Sequence, residues 1–346
     1  MELELLRYIQ SAASPVLDVF FIGITMLAEP ALWVVVLAWI YWNSDKTAGR
    51  FISYAMFTSL CFGNGLKEIF RMPRPIGEPG IRTIYADTAT GYSFPSGHSQ
   101  MMATVGSAIP LWYRKNSLWY FFIPLMFLVA FSRMYLGVHY PRDVFVGLLL
   151  GVSISWLCAK LWDRALGHSG LFAATFGLMS IFLFVARSHD FLQLYGLFGG
   201  FAAGCAYEER YVRFGMRDRA SRKAARFVLG LCVIGVVYGL GKLLPGLLWL
   251  IPIRYFFVAF AGYGLVPMLF KKVGISETPG KFLRRGTAEG FEHQVLEYSQ
   301  PDSGPGGTGF SAGGRTFAAL RPGTECPWGT QPGGDPVAVR GKGHPV

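Results

Sequence analysis

Residues 51–70 read FISYAMFTSLCFGNGLKEIF. An apolar run of this length matches the roughly 20 residues that an α-helix needs to cross a bilayer, and it delivers the charged Lys67 near its far end. Similar runs lie on both sides. Downstream, helices are expected over residues 96–113, 118–138 and 141–162, and again over 171–186, 191–207, 227–243 and 247–270. Upstream, residues 14–29 and 31–42 are apolar but short for a full span. They are expected to form a tight hairpin, or a tilted or partly re-entrant pair, with Pro30 in the first turn of the second helix.

Composition agrees with a membrane chain. Hydrophobic residues make up 52% and charged residues 15%, a balance outside that of soluble domains. The net charge of +11 fits a nucleic-acid partner in principle, but the lysines and arginines lie largely between apolar segments. They read as a topology signal, and no nucleic-acid partner is expected. Cys61, Cys158, Cys205 and Cys232 fall inside apolar runs and Cys326 in the tail, with no spacing for a metal site or a disulfide framework. Residues 1–10 carry Glu2 and Glu4 and lack the basic start of a cleavable signal; Leu3, Leu5, Leu6 and Ile9 suit a short interfacial helix.

The expected fold is therefore all-α and polytopic. An interfacial segment spans residues 1–13, a six-helix membrane core 14–165, and about four further transmembrane helices 166–275. From 276 to 346 Gly, Pro, Ser and Thr dominate and hydrophobic periodicity vanishes, so a disordered low-complexity tail is expected, in which Cys326 and His344 carry no motif. The arginine-rich stretch 208–226 reads as a surface anchor against anionic lipid, and His168 and His189 as interfacial residues at loop edges.

Three polar clusters interrupt this apolar chain between Lys67 and Asp143. They are Lys67 with Arg74 and Pro75, then Pro95-Ser96-Gly97-His98, then Ser132-Arg133 with His139 and Asp143. Together they fit a phosphate-like anion. Lys67, Arg74 and Arg133 can neutralise charge on transferred oxygens, the arginines in bidentate fashion. Ser96 and Gly97 open a helix, where backbone N–H groups point at an anion. One histidine can attack phosphorus as the neutral imidazole while the other protonates the leaving oxygen. Asp143 can hold the attacking histidine's other ring nitrogen in the correct tautomer. It is the lone carboxylate of the set, which disfavours a metal hydrolase, so neither metal nor cofactor is expected. A serine nucleophile at Ser96 is disfavoured, since no Gly-x-Ser-x-Gly elbow surrounds it.

In order and spacing, Lys-x6-Arg-Pro, Pro-Ser-Gly-His and Ser-Arg-x5-His-x3-Asp, the sequence resembles the type 2 phosphatidate phosphatase superfamily over roughly residues 14–162. The resemblance implies that His139 is the nucleophile, His98 the general acid and Asp143 the partner of His139, and that Lys67, Arg74, Ser96, Gly97 and Arg133 hold the phosphate. It implies metal-independent hydrolysis of a lipid or isoprenoid phosphate or pyrophosphate through a phosphohistidine. A phosphotransferase or soluble sugar-phosphate phosphatase on the same site, and a lipid translocator that only binds headgroups, are the rival readings. The expected partner is a lipid phosphate substrate in the membrane; the identity of the lipid and the oligomeric state are not legible.

The polar loop 71–91 is expected to roof the site or wall its access path. If segments alternate, the loops at 45–50, 114–115, 160–164, 210–226 and 271–272 share one side and carry most of the remaining cations. The positive-inside rule makes that side cytoplasmic. All three clusters then fall on the extracytoplasmic face of the plasma membrane.

Overall fold

A computed structural model describes residues 1–216 and 219–276. Nearly all of the predicted tail, with Cys326 and His344, lies outside the described residues. The described residues form helices and no strand. The short amphipathic α1 (Glu2–Ser11) precedes α2 (Pro15–Met26), whose Ser14 cap accepts from the Leu17 amide. A tight turn leads to α3 (Pro30–Trp39), which runs on through a widened turn to Ser44. Asp45 caps α4 (Lys46–Phe70) by accepting from the amides of Thr47 and Ala48, and Arg71 ends it in the left-handed region at φ 49°. There follow α5 (Gly97–Tyr113), α6 (Asn116–Tyr135) and α7 (Pro141–Arg164). The remaining helices are α8 (His168–Met179), α9 (His189–Tyr207), α10 (Ala220–Lys242), α11 (Leu250–Phe260) and α12 (Val266–Lys272), the last two joined by a widened turn.

Among the described residues, α6, α7, α10 and the continuous α11–α12 are long and apolar enough to span a membrane, and the chain is a multi-pass membrane protein. The helix that opened the sequence reading, α4, is not among them on hydropathy. It and α5 form the middle of the bundle, so polar side chains replace lipid-facing ones. Gln100 on α5 donates to the Ser59 carbonyl at 2.7 Å, Thr104 Oγ1 to Ser59 Oγ at 2.8 Å, and Ser155 on α7 to the Thr104 carbonyl at 2.9 Å. Hydrogen bonds of this kind hold membrane helices together where burial of apolar surface gives no drive. Small residues let α5 and α7 touch: a Cβ on Gly147 would stand 2.7 Å from the Ser96 carbonyl oxygen. That contact sets the start of α5 against the start of α7, where the Ser96 amide donates to the Asp143 carbonyl at 2.9 Å.

The cationic loops gather at the opposite end of the bundle. There Glu208, fully buried, takes Lys46 Nζ at 3.1 Å, the guanidinium of Arg50 and the Phe214 amide at 3.0 Å. Within the stretch 208–226, read as a lipid-facing anchor, Glu208 and Arg226 turn inward while Arg210, Arg213, Arg219 and Arg222 stay exposed. The helical path continues to Val212 because Glu208 turns inward to α4, and Arg226 is buried too, donating to the carbonyls of Gly215 and Met216. His168, read as interfacial, stacks on Trp162 with ring centroids 3.8 Å apart.

Candidate active site

The last turn of α4 places Lys67 with 8% of its surface exposed and its Nζ 2.9 Å from the Tyr92 carbonyl. Beyond Arg71 the chain crosses the end of the bundle, and Arg74 is held by three carbonyls. It donates to Gly91 at 3.0 Å, Thr90 at 2.6 Å and Val138 at 3.0 Å. Gly137, at φ 69°, makes the turn after α6 that only glycine makes without strain. His139 then meets Arg74, with Nη1 2.9 Å from Nε2.

This contact fixes the tautomer. A guanidinium can only donate, so Nε2 of His139 bears the lone pair and Nδ1 the proton. Nδ1 faces Ser93 Oγ at 3.3 Å and Asp143 Oδ2 at 3.5 Å. The Ser93 hydroxyl gives its own proton to Asp143 Oδ2 at 2.5 Å, which leaves its lone pairs for Nδ1–H. Asp143 is set by the capping geometry of α7, where the Tyr140 amide donates to the same oxygen at 2.8 Å. Burial pushes the His139 imidazole well below its ordinary value of 6.5, and the charges of Arg74, Arg133 and Lys67 add to the effect. Arg74 is lowered by burial to about 10 and stays a cation at neutral pH, with Asp143 and Asp190 opposing the shift.

Arg133, on the last turn of α6, is fully buried and donates to Thr25 Oγ1 at 2.8 Å, while its Nε and Nη2 have no hydrogen-bond partner. His98 begins α5 with Nε2 3.2 Å from Glu29 Oε1. Ser96 stands at the N-cap of α5, but its hydroxyl accepts from Ser99 Oγ at 3.0 Å and not from the helix backbone.

A cavity of about 390 Å³ opens here, with Lys67, Arg74, Gly97, His98 and His139 on its wall. Ser96, Arg133 and Asp143 are packed behind it. Sequence reasoning missed Ser93, Thr25, Glu29 and Asp190. Glu29 and Asp190 line the cavity, and each is an acid at the edge of an apolar run, a signal that marks function in a membrane chain. Ser93 and Thr25 carried no such signal. The far wall belongs to α9, through Asp190, Gln193, Leu194 and Leu197.

A helical membrane bundle with two histidines and buried cations around one cavity defines a class of membrane protein that handles phosphate-like anions. The chain belongs to the PAP2 superfamily, whose model matches residues 48–166, and the model for a PAP2 superfamily phosphatase transmembrane extension matches 192–278. It is similar to the Escherichia coli (strain K12) protein YbjG, at 35% identity over 149 residues, 41% of this chain and 73% of that protein. It is also similar to the undecaprenyl-diphosphatase of Sulfolobus acidocaldarius, at 28% over 159 residues, 46% of this chain and 75% of that one. With the lipid phosphate phosphatase delta of Arabidopsis thaliana the identity is 28% over 166 residues, 43% of this chain and only 39% of the relative's length.

Proposed function

We propose that the protein hydrolyses a lipid or isoprenoid phosphate or pyrophosphate without a metal, through a phosphohistidine on His139. The observation that carries this reading is the setting of His139 at the cavity wall: Nε2 faces the Arg74 donor, which leaves it the lone pair, and Nδ1 faces Ser93 and Asp143. The incoming phosphate takes over the Arg74 donor that faces Nε2, and Lys67, Arg74 and Arg133 balance its charge in a water-poor site. The first-turn amides at Gly97, with Ser96 shaping the turn, add backbone donors. His139 attacks in line, Asp143 stabilises the imidazolium character that develops, and His98 protonates the departing oxygen. Water then cleaves the phosphohistidine with His98 as base.

In this reading residues 14–165 form the catalytic core and 166–275 an extension that walls the substrate in. The site faces the extracytoplasmic side of the plasma membrane, because Lys46, Arg50 and the cations of the other short loops mark the opposite end as cytoplasmic. The test is phosphate release by the detergent-purified protein from undecaprenyl pyrophosphate, phosphatidate and phosphatidylglycerophosphate, all in excess EDTA. Release that survives EDTA and vanishes in His139→Ala is expected. Equal release by the variant, or none from any lipid by the wild type, overturns the reading.

A further inference from the structure

The hairpin of α2 and α3 reaches the site at two points. Thr25 accepts from Arg133 at 2.8 Å, and Glu29, four residues on, meets His98 Nε2 at 3.2 Å. The turn between them is pinned by its own bonds, Glu29 N to the Met26 carbonyl at 3.1 Å and Trp33 Nε1 to the Leu27 carbonyl at 2.9 Å. Glu29 is thus presented to the cavity by a fixed corner, which explains why two apolar helices too short to span the bilayer alone stand at this place.

His98 needs such a partner. The charged and titratable groups that face it from the packed elements are Arg133 on α6, Lys67 on α4, and Arg74 and His139 from the loops. Each cation opposes a proton on the imidazole. Asp143 is bound to Ser93, Tyr140 and His139, and Asp190 to Thr90. Glu29 alone is within ion-pair distance of His98 among the described residues. We propose that Glu29 is the positioning residue of the general acid, a carboxylate that holds one ring nitrogen of His98 at 3.2 Å and offsets the three cations around it. The hydrogen bond from His98 holds the Glu29 carboxyl below the usual carboxylate range even though burial acts the other way.

The step balances. The P–O bond breaks with its electron pair on the leaving oxygen, the proton on the ring nitrogen of His98 that Glu29 does not hold moves to that oxygen, and the bond from His139 to phosphorus forms. His98 is left neutral beside the carboxylate. In the second half, water gives a proton to His98 as its oxygen displaces His139 from phosphorus, which restores the couple.

The inference rests on the hydrolytic reading, and leaving-group dependence separates the two. An alkoxide departs only when protonated, whereas nitrophenolate departs without help. Glu29→Gln is therefore expected to lose about 10²-fold in kcat/KM on phosphatidate, within the range of general-acid catalysis, and less than about 5-fold on nitrophenyl phosphate. The alkaline limb of the phosphatidate profile should move to lower pH, and Glu29→Asp should recover part of the loss. The nitrophenyl ester also reports that the variant is folded. Equal loss on both esters, or loss on neither, overturns the role of Glu29 while leaving hydrolysis standing. A wild-type enzyme inactive on every ester overturns both.

Discussion

Both ends of this bundle bury cations, and they do so differently. At one end Glu208 lies between Lys46 and Arg50 and also takes the Phe214 amide, with Lys46 over the Phe214 ring. At the other, Lys67 and Arg74 line a cavity with Arg133 packed behind it, and their hydrogen bonds run to carbonyls, to Thr25 and to His139. Two buried nitrogens of Arg133 have no partner at all. Buried charge that is paired serves structure, whereas buried charge left short of carboxylates is held ready for an anion that arrives later. The difference separates a lock from a site without reference to any motif.

Substitution can break this comparison. The largest stability effect belongs to Glu208→Ala, which leaves the buried Arg50 and the half-buried Lys46 without their carboxylate and should lower stability by about 3–5 kcal/mol. Denaturant or thermal unfolding in detergent measures it, with the specific activity of the protein that remains folded close to wild type. Arg133→Met is the mirror case. It removes a fully buried cation whose one hydrogen bond goes to a neutral hydroxyl, so kcat/KM should fall roughly 10²–10³-fold while stability holds or rises. If Glu208→Ala proves harmless, or Arg133→Met unfolds the protein, the two ends are alike and the distinction fails.

The sequence carried one end of this comparison far better than the other. Lys67, Arg74, His98, His139 and Asp143, which the structure brings together, were legible as candidates because phosphate chemistry calls for those residue types, and the apolar runs between them set which end of the bundle each one reaches. The inward turn of Glu208 was not legible because its neighbours 209–226 look like any basic loop, and only its pairing with Lys46 and Arg50 on α4 shows it. Ser93 and Thr25 were invisible for a related reason. Each matters through a partner distant in sequence, Asp143 for the one and Arg133 for the other, and hydroxyls are common in polar loops and membrane helices alike. The spans showed a related limit, since a helix in the centre of a bundle, such as α4, is less apolar than one facing lipid.

The electrostatic half of the comparison is open to titration. In the proposed reaction His139 must be neutral to attack, and burial together with Arg74, Arg133 and Lys67 sets its proton affinity below the ordinary imidazole value of 6.5. Activity therefore falls on the acid side only as the pH drops through that lowered value, and the acid limb of kcat/KM should lie below pH 6.5. Arg74→Gln removes one of the opposing charges beside the ring, so the limb should move upward in the variant, toward the ordinary value. A limb that stays in place would mean that burial alone sets the imidazole.

The smallest expected effect tests whether the helices beyond residue 166 belong to the site at all. Asp190, at the start of α9, accepts from Thr90 Oγ1 at 2.6 Å, and the carbonyl of that same Thr90 takes Arg74 Nη2 at 2.6 Å. The segment 90–91 is thus gripped by the extension on one side and by a phosphate-facing guanidinium on the other. Asp190→Asn weakens one charge-assisted bond, a loss on the order of 1 kcal/mol, so kcat/KM should fall about 3- to 10-fold. Removal of Thr90's hydroxyl by Thr90→Val breaks the same bond from the other side. If Asp190 acts through Thr90, the double variant should be no worse than the more damaging single one, because the second change finds nothing left to remove. Additive losses would instead make Asp190 an independent contributor to the cavity's charge. The wall formed by α9 would then influence the anion through its field, with no mechanical hold on Arg74.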